Sequence, residues 1–261
     1  MMESLISNDG TSIGYTRSGA GSPLVLVHGT GASLSRLKPV LAALEKRFTV
    51  YAIDRRGRGE SRESREYALE REFEDVAGLV DAIGGPVDLL GHSFGGICSL
   101  EASLLTINLR RLILYEPPIP VPGAEIYSPS DVARLEALRE AGDREGILAA
   151  FFLGYVRVPP KEFAMLRAAP AWPARLAAAP TIPRELRAHE KYRFVAERFA
   201  EMRAPTLLLQ GGASPGFFRA AIATLHAALP ASRVAVLPGQ QHVAMDTAPE
   251  LFLREVLDFL G

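Results

Sequence analysis

Short runs rich in apolar and β-branched residues alternate along the chain with longer stretches whose apolar positions recur at helical spacing. This alternation predicts crossover units and a mainly parallel sheet flanked by helices, an α/β fold. Strands are expected at residues 5–7, 12–17, 24–27, 50–53, 87–90, 112–115, 206–209 and 234–237. The first two face each other across Asn8-Asp9-Gly10, a turn composition that reaches positive φ at little steric cost. Helices fit residues 34–46, 69–83, 94–105, 216–229 and 249–260, the last opened by a proline in its first turn. Between about 117 and 202 the rhythm breaks. Ala, Arg and Pro dominate there, the pattern is helical, and no convincing strand occurs. That stretch is expected to be a helical cap inserted into a core made of residues 1–116 and 203–261, its prolines separating short helices.

Charge narrows the partners. Lys and Arg number 29 against 30 Asp and Glu, giving a formal net charge of -1, so no global field draws in a polyanion or an anionic membrane. Neither nucleic acid nor membrane is an expected partner. The apolar runs fall far short of the ~20 residues of a spanning helix, and the polar start lacks the pattern of a signal peptide. A single cysteine, Cys98, leaves no internal disulfide and suits a reducing compartment. A soluble cytoplasmic protein is the expectation.

The sharpest chemical signal is Gly91-His92-Ser93-Phe94-Gly95, which directly follows a predicted strand and directly precedes a predicted helix. Gly-x-Ser-x-Gly arises by chance in loops, but the strand-to-helix setting is the one in which it exposes a serine as nucleophile. Such a turn needs small neighbours, supplied by Gly91 and Gly95. It also places Ser93 at a helix N-terminus, where the Phe94 N–H can donate to a developing oxyanion. A second donor is expected from Val27-His28-Gly29-Thr30-Gly31, with the Thr30 N–H preferred, Gly31 next, and His28 structural. Of five histidines, His242 lies just past the last predicted strand in a loop able to arch over Ser93, which makes it the candidate base. The histidines do not sit at metal-ligand spacing and no Gly-x-x-x-x-Gly-Lys phosphate loop occurs, so no metal and no cofactor are expected.

Four segments in order, His28-Gly29-Thr30-Gly31, the charged glycine-rich stretch 54–61, the elbow at Ser93, and Gly239-Gln240-Gln241-His242, resemble the α/β-hydrolase fold family over nearly the whole chain. The resemblance implies eight strands with the second antiparallel and a cap after the sixth. It also implies that stretch 54–61 shapes a turn, with Arg55, Arg56 and Arg58 in structural or surface ion pairs. Similar proteins usually carry an Asp just after the seventh strand. Here that place reads Leu209-Gln210-Gly211-Gly212-Ala213-Ser214-Pro215, and no Asp or Glu occurs between Glu201 and Asp246. Glu116, closing the sixth strand, is the preferred acid, because neighbouring parallel strands open onto one crevice. Some family members, haloalkane dehalogenases and zearalenone-type lactonases among them, place the acid after that strand. Asp246 is the second choice, better suited to capping the final helix.

A serine at the elbow argues against epoxide hydrolysis and dehalogenation, for which similar proteins carry Asp. The resemblance implies a carboxylic ester or lactone hydrolase working through an acyl-serine on a small apolar acyl substrate. Carbon–carbon bond hydrolysis, perhydrolysis, acyl transfer to another acceptor, and a slowly turning ligand receptor stand as alternatives. Among the aromatic residues, Trp172 in the cap and Phe94 are expected to line the pocket.

Overall fold

The computed structural model describes residues 2–64, 66–124 and 126–261; residue 125, inside the expected cap, lies outside the described residues. The chain runs β1 (Met2–Ile6), β2 (Ser12–Gly19), β3 (Ser22–Val27), α1 (Lys38–Leu44), β4 (Phe48–Ile53), α2 (Leu69–Ile83), β5 (Val87–His92), α3 (Phe94–Ala102) and β6 (Leu109–Tyr115). Five helices follow: α4 (Pro129–Glu140), α5 (Arg144–Ala149), α6 (Pro160–Ala168), α7 (Trp172–Ala178) and α8 (Ile182–Lys191), with a π-helical turn at Ala150–Tyr155. The chain then returns through β7 (Thr206–Gly211), α9 (Gly216–Ala228), β8 (Ser232–Leu237), α10 (Ala244–Thr247) and α11 (Pro249–Leu260).

The strands form one sheet in the order β1-β2-β4-β3-β5-β6-β7-β8. β2 runs antiparallel to both of its neighbours, and the pairs from β4 through β8 are parallel. The connections go one way from β3 to β4 and the other way from β5 onward. A crevice therefore opens at the carboxyl ends of β3 and β5, where ligands bind in sheets of this kind. All six residues of β5 are buried, as a strand covered on both faces requires. α2 presents Leu69, Phe73, Val76 and Val80 to one face, while α11 presents Phe252, Val256 and Leu260 to the other. Among the described residues no helix is long and apolar enough to cross a membrane.

Two helices differ from the sequence pattern. Residues 34–46 divide into a 3-10 turn, Leu34–Leu37, and α1, because Pro39 has no N–H to continue an α-helix begun at Leu34. The Asp54 carboxylate instead accepts from the Leu34 N–H at 2.7 Å and from the Glu60 N–H at 3.0 Å, which shapes the turn after β4. α3 stops at Ala102, where the Ser103 hydroxyl turns back to the Leu100 carbonyl.

The arginines of that turn are buried, not superficial. Arg56 pairs with Asp75 at 2.8 Å, and Arg55 pairs with Glu72 at 2.7 Å. Arg55 and Arg58 also converge on Glu185 of α8, the latter at 2.9 Å, with the side chains of Arg55, Arg58, Glu72 and Glu185 all buried. Burial opposes ionisation of Glu72, yet Arg55, Arg58 and the Tyr67 hydroxyl hold its carboxyl down to about 2. The turn after β4, α2 and α8 thus share a desolvated two-by-two ion cluster. Glu185→Gln should leave two guanidinium groups facing one carboxylate and lower unfolding stability by about 3–5 kcal/mol. Urea unfolding checks this, and a loss within the error of wild type would assign the cluster no net role.

Candidate active site

β5 ends one residue before Ser93, and the next residue opens α3. Ser93 sits at φ 56°, ψ −127°, a strained backbone held by its N–H donating to the Tyr115 carbonyl at 2.8 Å. A Cβ on Gly91 would lie 2.5 Å from the Gly95 carbonyl oxygen, and one on Gly95 would lie 2.4 Å from the His28 carbonyl oxygen. Both positions of the motif are therefore closed to side chains. His28 is buried and neutral: its Nε2 accepts from the Arg55 N–H at 3.1 Å, which leaves Nδ1 to donate to the Gly29 carbonyl at 2.8 Å.

β6 lies beside β5, with Tyr115 in register with His92, so the residue after each strand emerges on the same crevice. Those residues are Ser93 and Glu116. Glu116 is fully buried, adopts φ 45°, and accepts from the Gly211 N–H at 2.7 Å through Oε1. Its Oε2 lies 2.8 Å from Nδ1 of the buried His242. β7, where similar proteins place the acid, thus contributes a backbone donor to this carboxylate. The loop carrying His242 is fastened by the Tyr115 hydroxyl, which donates to the Gln241 carbonyl and accepts from the Ala244 N–H at 3.1 Å. The His242 ring stacks on Phe218 at 4.3 Å between centroids. His92 donates from Nε2 to the His242 carbonyl at 2.9 Å, and burial, His242 and Arg36 keep it neutral.

Asp246 has a different task. It lies on α10 and pairs with the buried Arg36 at 2.7 Å, where the sequence pattern suggested a cap for the last helix. The final helix is entered through Ala248 without a side-chain cap.

Ser93 and Thr30 border a cleft with two lobes. His242, His92, Arg36 and Arg175 line the first, and Phe94, Ile126, Tyr127, Leu186 and Phe218 line the second. Residues 24–255 match the model of the alpha/beta hydrolase family. The chain belongs to that family. An alpha/beta hydrolase from Sphaerobacter thermophilus superposes on this hydrolase with a TM-score of 0.87 at 35% identity, covering 99% of this chain and all of the other. The 2-(acetamidomethylene)succinate hydrolase of Mesorhizobium japonicum is 25% identical over 253 residues, 93% of this chain and 89% of its own. The 2-hydroxy-6-oxo-2,4-heptadienoate hydrolase of Pseudomonas putida is 36% identical over 103 residues, only 37% of either chain.

Of the residues singled out from the sequence, Ser93, His242, Thr30 and Phe94 line this cleft, and Glu116 is buried outside its lining, against Nδ1 of His242. Trp172 lines neither lobe. It packs against Phe163 at 5.8 Å in the cap interior and donates from Nε1 to Glu145 at 3.2 Å, because its position opening α7 turns it toward α5 and α6. The pattern missed His189, Arg36 and Arg175. His189 lines the apolar lobe, donating from Nε2 to the Pro118 carbonyl at 2.6 Å and accepting from the Tyr127 hydroxyl; burial lowers its pKa to about 4. Arg175 donates to the Gly31 carbonyl at 3.2 Å and lies 5.2 Å over the Phe152 ring. Burial, reinforced by Arg36 and opposed by Asp246, pulls Arg175 down to about 9. A lone arginine inside an apolar helical run was the available signal.

Proposed function

We propose that this hydrolase cleaves a carboxylic ester or lactone through an acyl-serine. The observation that carries the reading is the buried His242–Glu116 pair at 2.8 Å beside the lobe that Ser93 lines. With Nδ1 engaged by Glu116, Nε2 is the ring nitrogen left to take the Ser93 proton as Oγ attacks the carbonyl carbon. Glu116 fixes that tautomer and stabilises the imidazolium. The N–H groups of Thr30 and Phe94 receive the tetrahedral oxyanion. Collapse expels the leaving group with the proton from His242, and water then repeats the sequence on the acyl-serine, releasing the acid and restoring Ser93. The acyl chain occupies the apolar lobe. A cytoplasmic site of action fits a chain whose only thiol has no partner for a disulfide.

A second reading, hydrolysis of a carbon–carbon bond next to a ketone, draws on the relative named for an oxo-heptadienoate and uses the same residues with a carbon leaving group. Reaction with a fluorophosphonate probe and with p-nitrophenyl esters of increasing chain length tests the reading. Labelling of Ser93 with saturable ester turnover is expected. A folded protein that neither labels nor turns over any ester would overturn it.

A further inference from the structure

The two lobes that meet at Ser93 differ in charge. In the apolar lobe the one titratable base among the described lining residues, His189, is neutral at pH 7. The other lobe contains two guanidinium groups and, among the described residues that line it, no carboxylate. Arg36, 3% exposed, is matched by Asp246 at 2.7 Å. Arg175, 4% exposed, has no ion-pair partner among the described residues, and Asp246, the opposing charge that acts on it, is already engaged by Arg36.

A buried guanidinium without an anion is costly, since it has lost water and gained no counter-charge. A role confined to holding the oxyanion loop, through the Gly31 carbonyl and the face of Phe152, would leave most donors of the fork unused. A carboxylate from the substrate fits both the charge and the planar fork. We infer that the Arg175 lobe is a carboxylate subsite, so that the substrate of this hydrolase is a monoanion bearing a carboxylate in addition to its scissile acyl bond. This deepens the acyl-serine reading and rests on it. The carboxylate lies in the cationic lobe, the rest of the substrate extends into the apolar lobe, and the scissile carbonyl sits where the lobes join at Ser93 and Thr30.

Two ester pairs test the subsite from either side of the scissile bond. One compares mono-p-nitrophenyl adipate with p-nitrophenyl hexanoate, and the other compares 4-acetoxybenzoate with 4-acetoxybenzamide. In at least one pair, wild-type enzyme should favour the anionic ester ten-fold or more in kcat/KM, chiefly through KM. Arg175→Met should abolish that ratio, and Arg175→Lys should restore part of it. Taking the ratio within each variant cancels any general damage to the oxyanion loop. Should Arg175→Met fail to fold, the wild-type protein still answers, because glutarate should slow fluorophosphonate labelling of Ser93 while glutaramide should not. Equal or neutral-favouring turnover in both pairs, a preference that persists in Arg175→Met, or labelling indifferent to glutarate would overturn the subsite while leaving Ser93 the nucleophile. Failure of Ser93 to react at all would overturn the hydrolase chemistry beneath it.

Discussion

Ser93→Ala is expected to eliminate fluorophosphonate labelling and to lower kcat by roughly a million-fold, since loss of the nucleophile from a triad costs about as much as loss of the whole unit. The residual rate should stay above the uncatalysed one, because the Thr30 and Phe94 N–H groups and the cleft still bind the substrate. The unfolding midpoint should not move. Alanine carries the same Cβ into the φ 56° conformation, and the backbone bond from residue 93 to the Tyr115 carbonyl is untouched by the substitution. Intact-mass spectrometry of the probe-treated protein, with ester kinetics and urea unfolding, reads all three quantities. A variant that still labels at one site would move the nucleophile elsewhere. Retained turnover without labelling would point to direct attack by water, with His242 as its base.

The strained elbow explains part of the fold's economy. Backbone held in a sparsely populated region costs of order 1–3 kcal/mol and persists only where surroundings over-determine it. Ser93 and Glu116 are both held at positive φ, and both follow directly on central strands whose hydrogen bonds to β6 and β7 continue past the last regular residue. The sheet therefore supplies the constraint that keeps two unfavourable conformations in place, and these two residues are the ones the proposed chemistry uses. The Arg55 cluster extends the same logic to the helices inserted between β6 and β7. Arg55 lies 4.7 Å over the Phe94 ring while pairing with Glu185 of α8, so the seating of α8 is tied to the residue proposed as an oxyanion donor.

These features were unequally legible in the sequence. Strand periodicity placed β3 through β8 to within a few residues, because buried central strands are continuous apolar runs. Parallel neighbours with a common carboxyl edge then made Ser93 and Glu116 candidates for one crevice before any contact was known. The absence of a carboxylate after β7 sharpened the choice of acid. What the pattern could not reach was convergence across long separations. Arg36 and Arg175 stand 139 positions apart, on a 3-10 turn of the core and a short cap helix, and nothing local records that both face one lobe. Trp172 misled for the complementary reason. Its size suited either the lining of a cleft or the interior of the cap, and only the packing of α7 against its neighbours decides between them. Arg55, Arg56 and Arg58 were legible as ion-pairing residues but not as buried ones, since their partners lie on α2 and on α8, far away in sequence.

Glu116→Gln should lower kcat by about 10,000-fold with KM little changed, the size expected when the base is held in the wrong tautomer. The direction follows from the second bond of this side chain. Oε1 accepts from the Gly211 N–H, a donor that only an oxygen can satisfy, so the carbonyl oxygen of the glutamine must stay on that side. Its NH2 group is then forced toward Nδ1 of His242, now 2.8 Å from a carboxylate oxygen. A donor there requires Nδ1 to accept, which puts the ring proton on Nε2 and removes the lone pair that would take the Ser93 proton. The imidazolium also loses its counter-charge. Asp246→Asn should produce only a small fraction of this effect, because that carboxylate serves Arg36 and not the His242 ring. Steady-state kinetics on one ester decide the matter: the reverse ordering of the two variants would transfer the acid to Asp246, and equal small losses would mean that His242 works without a carboxylate partner.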